Sequence, residues 1–219
     1  LAPLAAILRA RGRGAQTVLD LHDYLPSRSG RLKLLLASHA YSSVIAISKF
    51  NASQARGHRH VTILRRPIEK GNLPGLPDLT GRNVGVVGRI DPDKRLEIVV
   101  EAMRLLPTKT NLVVKGTASK GNEAYGEAVQ AFALEQLGSR VTFTGRVERG
   151  DTMTGLDALI VANPEEAMGR TVLEAQIAGV PVIVPNRGGA AELVEDQRTG
   201  HVFTAGDPRS LAASVDRAL

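Results

Sequence analysis

Two short apolar runs, with a helix-like segment between them, constrain the fold of this chain more than any other feature. Residues 158–162 and 180–184 contain only apolar side chains, which is typical of strands buried on both faces of a parallel sheet. Residues 170–178 between them follow the pattern of a helix, which Gly179 ends. The segment is therefore predicted to be a strand, loop, helix, strand unit of a doubly wound α/β fold.

The same alternation of strands and helices continues along the rest of the chain. Further strands are predicted at 17–21, 43–47, 61–64, 84–87, 112–114 and 141–143. Helices are predicted at 4–11, 29–39, 95–106, 122–137 and 208–219, and after Ser48, which is a suitable N-cap. This order predicts parallel, doubly wound packing throughout.

The loop and first turn of the central helix carry a predicted ligand site. In parallel α/β units, ligands lie beyond the carboxyl ends of the strands, where a helix amino terminus offers N–H groups and partial positive charge. The amides of Gly169, Arg170 and Thr171 are predicted to hold a diphosphate. Glu174 is predicted to accept two hydrogen bonds from a ribose diol, and Glu166 to bind a sugar. A solvated loop acid and an ordinary helix-surface residue remain the alternative for these two glutamates.

A second motif follows the predicted strand at 84–87. Gly88 permits a tight turn, Arg89 offers a planar fork of donors, and Lys94 supplies a point charge near the next helix start. The five positions between the two cations allow both to converge on a diphosphate. The alternative is that Lys94 and Arg95 are surface residues at the start of a helix.

Together these motifs resemble the family-4 retaining glycosyltransferases, enzymes of GT-B fold that use nucleotide-sugar donors. Residues 166–174 match that family's motif of two glutamates separated by seven residues, and residues 87–95 match its Gly-Arg and Lys phosphate clamp. Further matches follow in the family's order at 141–147, 186–192, 199–202 and 206–208. Chance matching of short motifs does not readily produce such an ordered series.

The resemblance implies a role for each matched residue. Four residues are implied to act on the reacting sugar and the leaving diphosphate: Glu166, Arg89, Lys94 and His22. The others are implied to bind the nucleotide sugar, with the main chain around Val147 reading the base: Gly88, Val147, Met168, Gly169, Arg170, Thr171 and Glu174. His22 also fits a structural histidine, and Asp23 is expected to orient its imidazole.

The implied reaction is transfer of a sugar from a nucleotide-diphosphate sugar to an unknown hydroxyl acceptor, with retention of anomeric configuration. No cofactor and no metal are expected. Asp91 and Asp93 superficially resemble the Asp-x-Asp metal motif of a different glycosyltransferase fold, but two acids at a helix start are expected as caps. A nucleotide-sugar 2-epimerase of GT-B fold and a non-catalytic nucleotide-binding remnant are the alternatives.

The expected architecture is two Rossmann-like domains of unequal completeness. Residues 1–69 are interpreted as a partial amino-terminal, acceptor-side domain, because its opening strands are not visible and the chain begins at Leu1. Residues 70–82, rich in proline and glycine, are predicted to be the linker. Residues 83–219 are predicted to form the carboxy-terminal nucleotide-sugar-binding domain.

Net positive charge is concentrated in the predicted first domain. Residues 1–69 carry 11 Lys or Arg against 3 acids, a net charge of +8, whereas the rest of the chain has a net charge of −2. A basic helix at 29–39, with Arg28, Arg31 and Lys33 among leucines, suggests peripheral contact with an anionic membrane, or a core-packed helix with a solvated edge. No nucleic-acid partner is expected, since no binding module is recognisable. The absence of cysteine fits a cytoplasmic protein, peripheral at the inner membrane surface.

Overall fold

The computed structural model describes residues 2–25, 27–68 and 81–219 of the chain. They form two compact units, which are described separately. The amino-terminal unit comprises Leu1–Pro67 together with Glu165–Met168, and the carboxy-terminal unit comprises Ile68–Pro164 and Gly169–Leu219. Nearly all of the predicted linker at 70–82 lies outside the described residues. The predicted domain boundaries and the incompleteness of the first domain stay predictions.

The amino-terminal unit contains a three-stranded parallel sheet in the order β1-β2-β3. Its strands are β1 (Val18–Leu21), β2 (Ser43–Ala46) and β3 (Val61–Ile63). Its helices are α1 (Ala2–Gly12), α2 (Arg28–Ser38) and α3 (Lys49–Ala52). A small apolar core formed by Leu21, Val44, Ala46 and Ala55 joins the sheet to its helices.

Hydroxyl caps set the starts of two helices in this unit. Ser48 caps α3 by accepting a hydrogen bond from the Asn51 amide, which confirms the N-cap predicted from the sequence. Ser27 caps α2 in the same way, through the Gly30 amide. Each cap satisfies one of the N–H groups that a first helical turn leaves without an internal partner.

The carboxy-terminal unit contains a six-stranded, fully parallel sheet in the order β6-β5-β4-β7-β8-β9. The strands are β4 (Asn83–Val87), β5 (Asn111–Lys115), β6 (Val141–Gly145), β7 (Ala158–Ile160), β8 (Val182–Pro185) and β9 (His201–Phe203). The helices are α4 (Leu96–Arg104), α5 (Glu123–Leu137), α6 (Arg170–Ile177) and α7 (Pro208–Ala218). The prediction of a parallel α/β fold is confirmed.

This sheet is buried on both faces. Along β7, Ala158 and Ile160 pack into one apolar cluster, while Leu159 packs into the other. Such alternation follows from the pleat, which turns successive side chains to opposite faces. A continuous apolar run is therefore required where helices cover both faces.

The strand order reverses next to β4. From β4 the chain builds β5 and β6 on one side, and then crosses to β7 on the other side. The loops that follow β4 and β7 consequently diverge and leave a crevice at the carboxyl ends of the strands. Such a switch point is where open α/β sheets bind their ligands.

Two details of the sheet differ from expectation. Strand β8 begins at Val182 instead of residue 180, because the Val180 amide bonds back to the Ala175 carbonyl of α6 and Pro181 has no N–H to donate to a neighbouring strand. Strand β9 was not predicted, although two of its three residues belong to the matched motif at 199–202. Among the described helices, none is both long enough and apolar enough to cross a bilayer.

Candidate functional site

The crevice is bounded by loops that bond directly to one another. The Gly88 amide donates to the Lys115 carbonyl at 2.9 Å, and the Ile90 amide to the Thr117 carbonyl at 3.0 Å. A Cβ at Gly116 would lie 1.8 Å from the Gly88 carbonyl oxygen, so no side chain fits there. The loops after β4 and β5 are thus held together by direct backbone contact, which fixes the start of the predicted phosphate clamp.

Arg89 stands at this crevice with an acid beside it. Its side chain is 66% exposed, and Nη1 lies 3.4 Å from Oδ2 of the buried Asp91. Asp91 Oδ1 accepts hydrogen bonds from the Ser119 amide, the Ser119 hydroxyl and Asn122 Nδ2, at 2.7 to 3.1 Å. Asp91 therefore fixes one end of the guanidinium, while most of Arg89 faces solvent.

The hydrogen bonds decide the charge state of Asp91. Burial raises the pKa of this carboxyl, but the bonds from Ser119 and Asn122, with the charge of Arg89, outweigh burial and leave the pKa below its ordinary value. The carboxylate is consequently ionised at neutral pH. It also ties the clamp loop to the loop before α5.

Lys94, the second predicted clamp cation, also has an acidic neighbour. Its Nζ lies 3.4 Å from Asp93 Oδ2, and the same oxygen accepts from Asn163 Nδ2 at 3.3 Å. Because Asn163 belongs to the loop after β7, this contact joins the two sides of the switch point. Arg89 and Lys94 thus both lie on the segment between β4 and α4, and their convergence on a diphosphate stays a prediction.

The prediction that the two acids cap the next helix is wrong. The short 3₁₀ helix Pro92–Lys94 and helix α4 both begin without a side-chain cap hydrogen bond. Asp91 instead bonds to residues about 30 positions further along the chain, which are brought beside it by the parallel pairing of β4 with β5.

Helix α6 points its amino terminus at the crevice from the β7 side. Gly169 is its N-cap with φ of +89°, a conformation that favours glycine. A Cβ there would lie only 3.0 Å from Ala190. Gly169 has no side chain with which to cap α6, and the binding of an anion by the amides of Gly169, Arg170 and Thr171 stays a prediction.

Glu174 lies one turn into α6 and is surrounded by cations. Its side chain is 12% exposed, and Oε1 accepts a hydrogen bond from Arg170 Nε at 3.0 Å. Arg149 Nη2 lies 4.0 Å from the same oxygen. The Arg170 contact has the i,i+4 spacing that a helix sequence reveals. The Arg149 contact was missed, because it joins α6 to the segment after β6, 25 residues earlier in the chain.

The loop that carries Val147 and Arg149 is anchored by a buried lysine. Lys115, at the end of β5, donates from Nζ to the carbonyls of Asp151 at 2.8 Å and Thr154 at 2.7 Å. Burial lowers the pKa of Lys115, and the charge of Asp151 opposes this effect. Val147 itself is half-buried at the start of the loop.

Comparison with known proteins places this arrangement in a family. Residues 81–219 match the pattern of the glycosyl transferases group 1. The chain belongs to that family. The match covers the whole of the carboxy-terminal sheet, including every residue of the crevice described above.

Several group 1 glycosyltransferases are similar in sequence. The D-inositol 3-phosphate glycosyltransferase of Mycobacterium leprae (strain Br4923) is 34% identical over 150 residues, which are 66% of this chain and 34% of that protein. The enzyme of the same name from Mycobacteroides abscessus is 34% identical over 121 residues, 53% of this chain and 27% of that protein. The chain thus spans about a third of the length of these curated relatives.

Solved structures share the fold at lower identity. Anabaena HepE in complex with UDP has a TM-score of 0.85 and 22% identity, covering 98% of this chain and 65% of that one. The lipopolysaccharide outer core galactosyltransferase WaaB, in its apo form, has a TM-score of 0.76 and 16% identity, covering 98% and 64%. These likenesses support the predicted fold class, α/β of the kind found in glycosyltransferases.

Other predicted site residues belong to the amino-terminal unit. His22 follows β1, and its Nε2 lies 2.8 Å from Asp20 Oδ2 and 2.9 Å from Arg66 Nη2. This nitrogen either donates to Asp20 or accepts from Arg66, and cannot do both. The expectation that Asp23 orients His22 is wrong. The acid beside the His22 ring is Asp20, because residues two apart on an extended chain share a face.

Glu166 and Met168 cluster with the same unit. Glu166 is half-buried and Met168 is buried. Between them, the Ala167 carbonyl accepts a hydrogen bond from the Ser48 hydroxyl at 2.5 Å, so the N-cap of α3 also contacts this segment. The carboxy-terminal unit therefore brings together the clamp, the α6 amides, Glu174 and the Val147 loop, and the other three predicted residues lie in the amino-terminal unit.

Asp91 and Asp93, the two acids of the clamp turn, do not belong to any group that would hold a metal ion in the described part of the chain. Within the described ranges, no three His, Asp or Glu side chains are grouped so that they would hold a metal ion. Asp91 is engaged by Ser119, Asn122 and Arg89, and Asp93 by Asn163 and Lys94. The expectation that the enzyme needs no metal stays a prediction.

Proposed function

We propose that this protein transfers a sugar from a nucleotide-diphosphate sugar to a hydroxyl acceptor with retention of anomeric configuration, as the family-4 glycosyltransferases do. The observation that carries the proposal is that Arg89 and Lys94 follow β4 and that α6 begins after β7, the two strands at the switch point, with Glu174 one turn into α6. Cations and amides hold a diphosphate, and a carboxylate holds a ribose diol. The family match covers all of these residues.

Stabilisation of the leaving group is the main catalytic task of this crevice. As the bond between the sugar and the diphosphate breaks, negative charge grows on the diphosphate oxygens. Arg89, Lys94 and the α6 amides are fixed donors for that charge, and preorganised donors usually contribute most to such catalysis. Because each cation also has a carboxylate beside it, the α6 amides supply much of the uncompensated positive potential.

The sugar and the acceptor complete the proposal. Glu166 positions the donor sugar, and His22 contacts it. A new bond forms between the acceptor oxygen and the anomeric carbon on the face that the diphosphate leaves. The proton of the acceptor hydroxyl passes to the departing diphosphate, so the reaction needs neither an enzymic nucleophile nor a metal ion. HepE binds UDP, which supports a nucleotide-sugar donor for this chain also.

A nucleotide panel followed by product analysis tests the function. UDP, GDP, ADP, CDP and dTDP are first compared by thermal shift, and the sugar forms of the nucleotides that bind are then incubated with candidate polyol and sugar acceptors. Retention is read from the anomeric proton coupling of the product by NMR. A product of inverted configuration would contradict the mechanism. Nucleotide binding without sugar transfer to any of the acceptors would favour the non-catalytic nucleotide-binding remnant. Epimerisation of the donor sugar would favour the nucleotide-sugar 2-epimerase.

We also propose peripheral contact with an anionic membrane through α2. Leu32 and Leu36 lie one turn apart on this helix and are 58% and 68% exposed. Arg28 and Lys33 are exposed on the same helix, in the part of the chain with a net charge of +8. Apolar side chains flanked by cations suit an anionic lipid surface. A cytoplasmic location remains part of this proposal.

A further inference from the structure

The acids of the amino-terminal unit all lie at the carboxyl edge of its parallel sheet. Asp20 and Asp23 lie in the last residues of β1 or just after it, and they are the only acids among residues 1–67. The unit's other two acids belong to the segment at 165–168, which bonds to Ser48 just after β2. The opposite edge, which we call the amino edge, consists of the residues that precede β1, β2 and β3. It therefore has no acid from the described part of this unit.

Two adjoining cavities open at the amino edge, and cationic side chains line them. Their volumes are about 600 Å³ and about 390 Å³, and they share Arg11, Ser42 and His60. Arg59 and His39 also line the smaller cavity. None of the described residues that line either cavity is acidic. An anion in these cavities would thus meet positive charge that no neighbouring carboxylate neutralises.

Arg11 is held in place by groups without a formal charge. Its Nη1 donates to the carbonyls of His39 at 3.1 Å and Ala40 at 2.9 Å. These carbonyls lie at the carboxyl end of α2, where partial negative charge offsets only part of the charge of a guanidinium. A guanidinium has five N–H groups, so donors of Arg11 remain for a ligand. Arg89 differs, because it lies beside the carboxylate of Asp91.

Three histidine rings form a row beside the arginines. The centroid of His58 lies 5.9 Å from that of His39 and 6.5 Å from that of His60. His58 Nδ1 lies 3.1 Å from both the amide nitrogen and the carbonyl oxygen of His60, and Nε2 lies 3.2 Å from the Tyr41 carbonyl. A neutral ring accepts from the amide, and a protonated ring donates to the carbonyl. The row can therefore take up a proton beside an anion and keep its hydrogen bonds.

We propose that the amino edge binds the phosphate group of a phosphorylated sugar or polyol, with Arg11, Arg59 and His60 as its ligands. A phosphate monoester carries a charge of about −1.5 to −2 at pH 7, and guanidinium forks match its oxygens. Gln16 and Ser43 line the larger cavity, so the hydroxyl groups of the ligand would meet polar side chains there. Both cavities have the size of small-molecule sites.

This site is distinct from the one proposed for sugar transfer. His22 follows β1 at the carboxyl edge, and the amino edge is one strand length away. Strand β2 has four residues and rises about 3.3 Å per residue, so the two edges are roughly 13 Å apart. The inference consequently does not depend on the proposed transferase function, and its failure would leave that function untouched.

NMR of the five histidine rings in the 219-residue chain tests the site. The imidazole Cε1–H signals, assigned with single His→Gln variants, are followed during titration with glycerol 3-phosphate at constant pH and ionic strength. The signals of His39 and His60 are expected to shift and saturate. The signal of His201, which belongs to the other unit, should not move. Glycerol, which lacks the phosphate, should move none of them.

Variants separate a built site from general attraction to a basic surface. Arg59→Gln should weaken glycerol 3-phosphate roughly tenfold, because one charge-assisted contact is lost. Arg11→Gln should weaken it at least as much, but it also removes the contacts with the end of α2, so the exposed Arg59 gives the cleaner test. Arg9→Gln is the matched control. It removes an exposed arginine two positions earlier on α1, on the other side of that helix, and should keep the affinity.

Four results would overturn the inference. The first is the absence of saturable shifts at His39 and His60 in the wild type, and the second is an equal loss of affinity in Arg9→Gln and Arg59→Gln. The third is loss of the shifts in Arg89→Ala, which would place the ligand in the crevice. The fourth concerns the source of the phosphate. Binding to vesicles that contain phosphatidic acid, lost in Arg59→Gln and without any response to glycerol 3-phosphate, would assign the site to a lipid headgroup instead of a soluble ligand.

Discussion

Arg89 is held at one end by Asp91 and offers its remaining donors to the crevice. Arg89→Ala should weaken the binding of a nucleoside diphosphate roughly 10- to 100-fold, because a charge-assisted contact to phosphate contributes about 1.5 to 3 kcal/mol. Calorimetry measures the loss, with Arg104→Ala on α4 as a control that removes an exposed arginine elsewhere. Equal affinity of Arg89→Ala and the wild type for every common nucleoside diphosphate would exclude the clamp.

The two glutamates are expected to act on different parts of the donor. Glu174→Ala should weaken UDP or GDP by roughly tenfold, since the ribose loses its acceptor. The same change should not weaken the binding of pyrophosphate, because loss of the Glu174 carboxylate leaves the positive charges of Arg149 and Arg170 less neutralised. Glu166→Ala should hardly change the affinity for the bare nucleotide and should slow turnover with the sugar donor. A large loss of bare nucleotide in Glu166→Ala would mean that the roles are exchanged.

Asp91 should make the stability of the fold sensitive to acid. Its folded-state pKa lies below the ordinary value of about 3.9, so it stabilises the native state above that pH and loses the contribution as pH falls through the folded pKa. Asp91→Ala should lower the free energy of unfolding by about 1 to 3 kcal/mol at pH 7, because Ser119 and Asn122 lose their acceptor. Urea denaturation at pH 7 and pH 3 measures both effects. An equal deficit of the variant at both pH values would contradict the assigned charge state.

Residue contacts were predictable where they are local. The contact of Glu174 with Arg170 has the i,i+4 spacing of a helix, and Lys94 pairs with the adjacent Asp93. The partners of Asp91 and the approach of Arg149 depend on which strands become neighbours, so no local pattern contains them. The pairing of His22 with Asp20 was readable from the period of two along a strand and was overlooked in favour of the adjacent acid.

Elements were predicted most reliably where their apolar pattern was long. Helices α4, α5 and α7 and the buried strand β7 match the predicted segments within a few residues at each end. Strand β9 escaped prediction because it has only three residues, and two of them are half-exposed. Its place at the edge of the sheet requires fewer apolar positions than a central strand.

Helix α2 should bind anionic vesicles through its exposed leucines. Cosedimentation with anionic vesicles is expected, with little binding to neutral vesicles and a decrease as salt rises. Leu36→Gln should reduce binding roughly 10- to 100-fold, because each buried leucine contributes about 1.5 to 3 kcal/mol. Leu105→Gln, at an exposed leucine of the other unit, is the control. Equal binding to both vesicle types, or to neither, would remove the membrane proposal.

At the scale of the whole molecule, the proposed reaction should proceed without divalent metal. Side-chain cations and helix amides are sufficient to neutralise a diphosphate, which is the task that a metal ion performs in other enzymes. Sugar transfer is therefore expected to continue at an unchanged rate in excess chelator. The assay compares initial rates with and without EDTA. Loss of turnover in chelator that magnesium or manganese restores would show that the crevice needs an ion.

The hydrogen bonds from Lys115 to the loop after β6 affect which substitutions this loop tolerates. The Lys115 ammonium group holds main-chain oxygens of Asp151 and Thr154, and every amino acid supplies such an oxygen. Side chains in this turn can therefore be exchanged without releasing the turn from the sheet, provided that the new residues accept the same backbone angles. A library of substitutions at positions 149–152 should thus yield folded variants far more often than a library at Gly116, where no side chain fits.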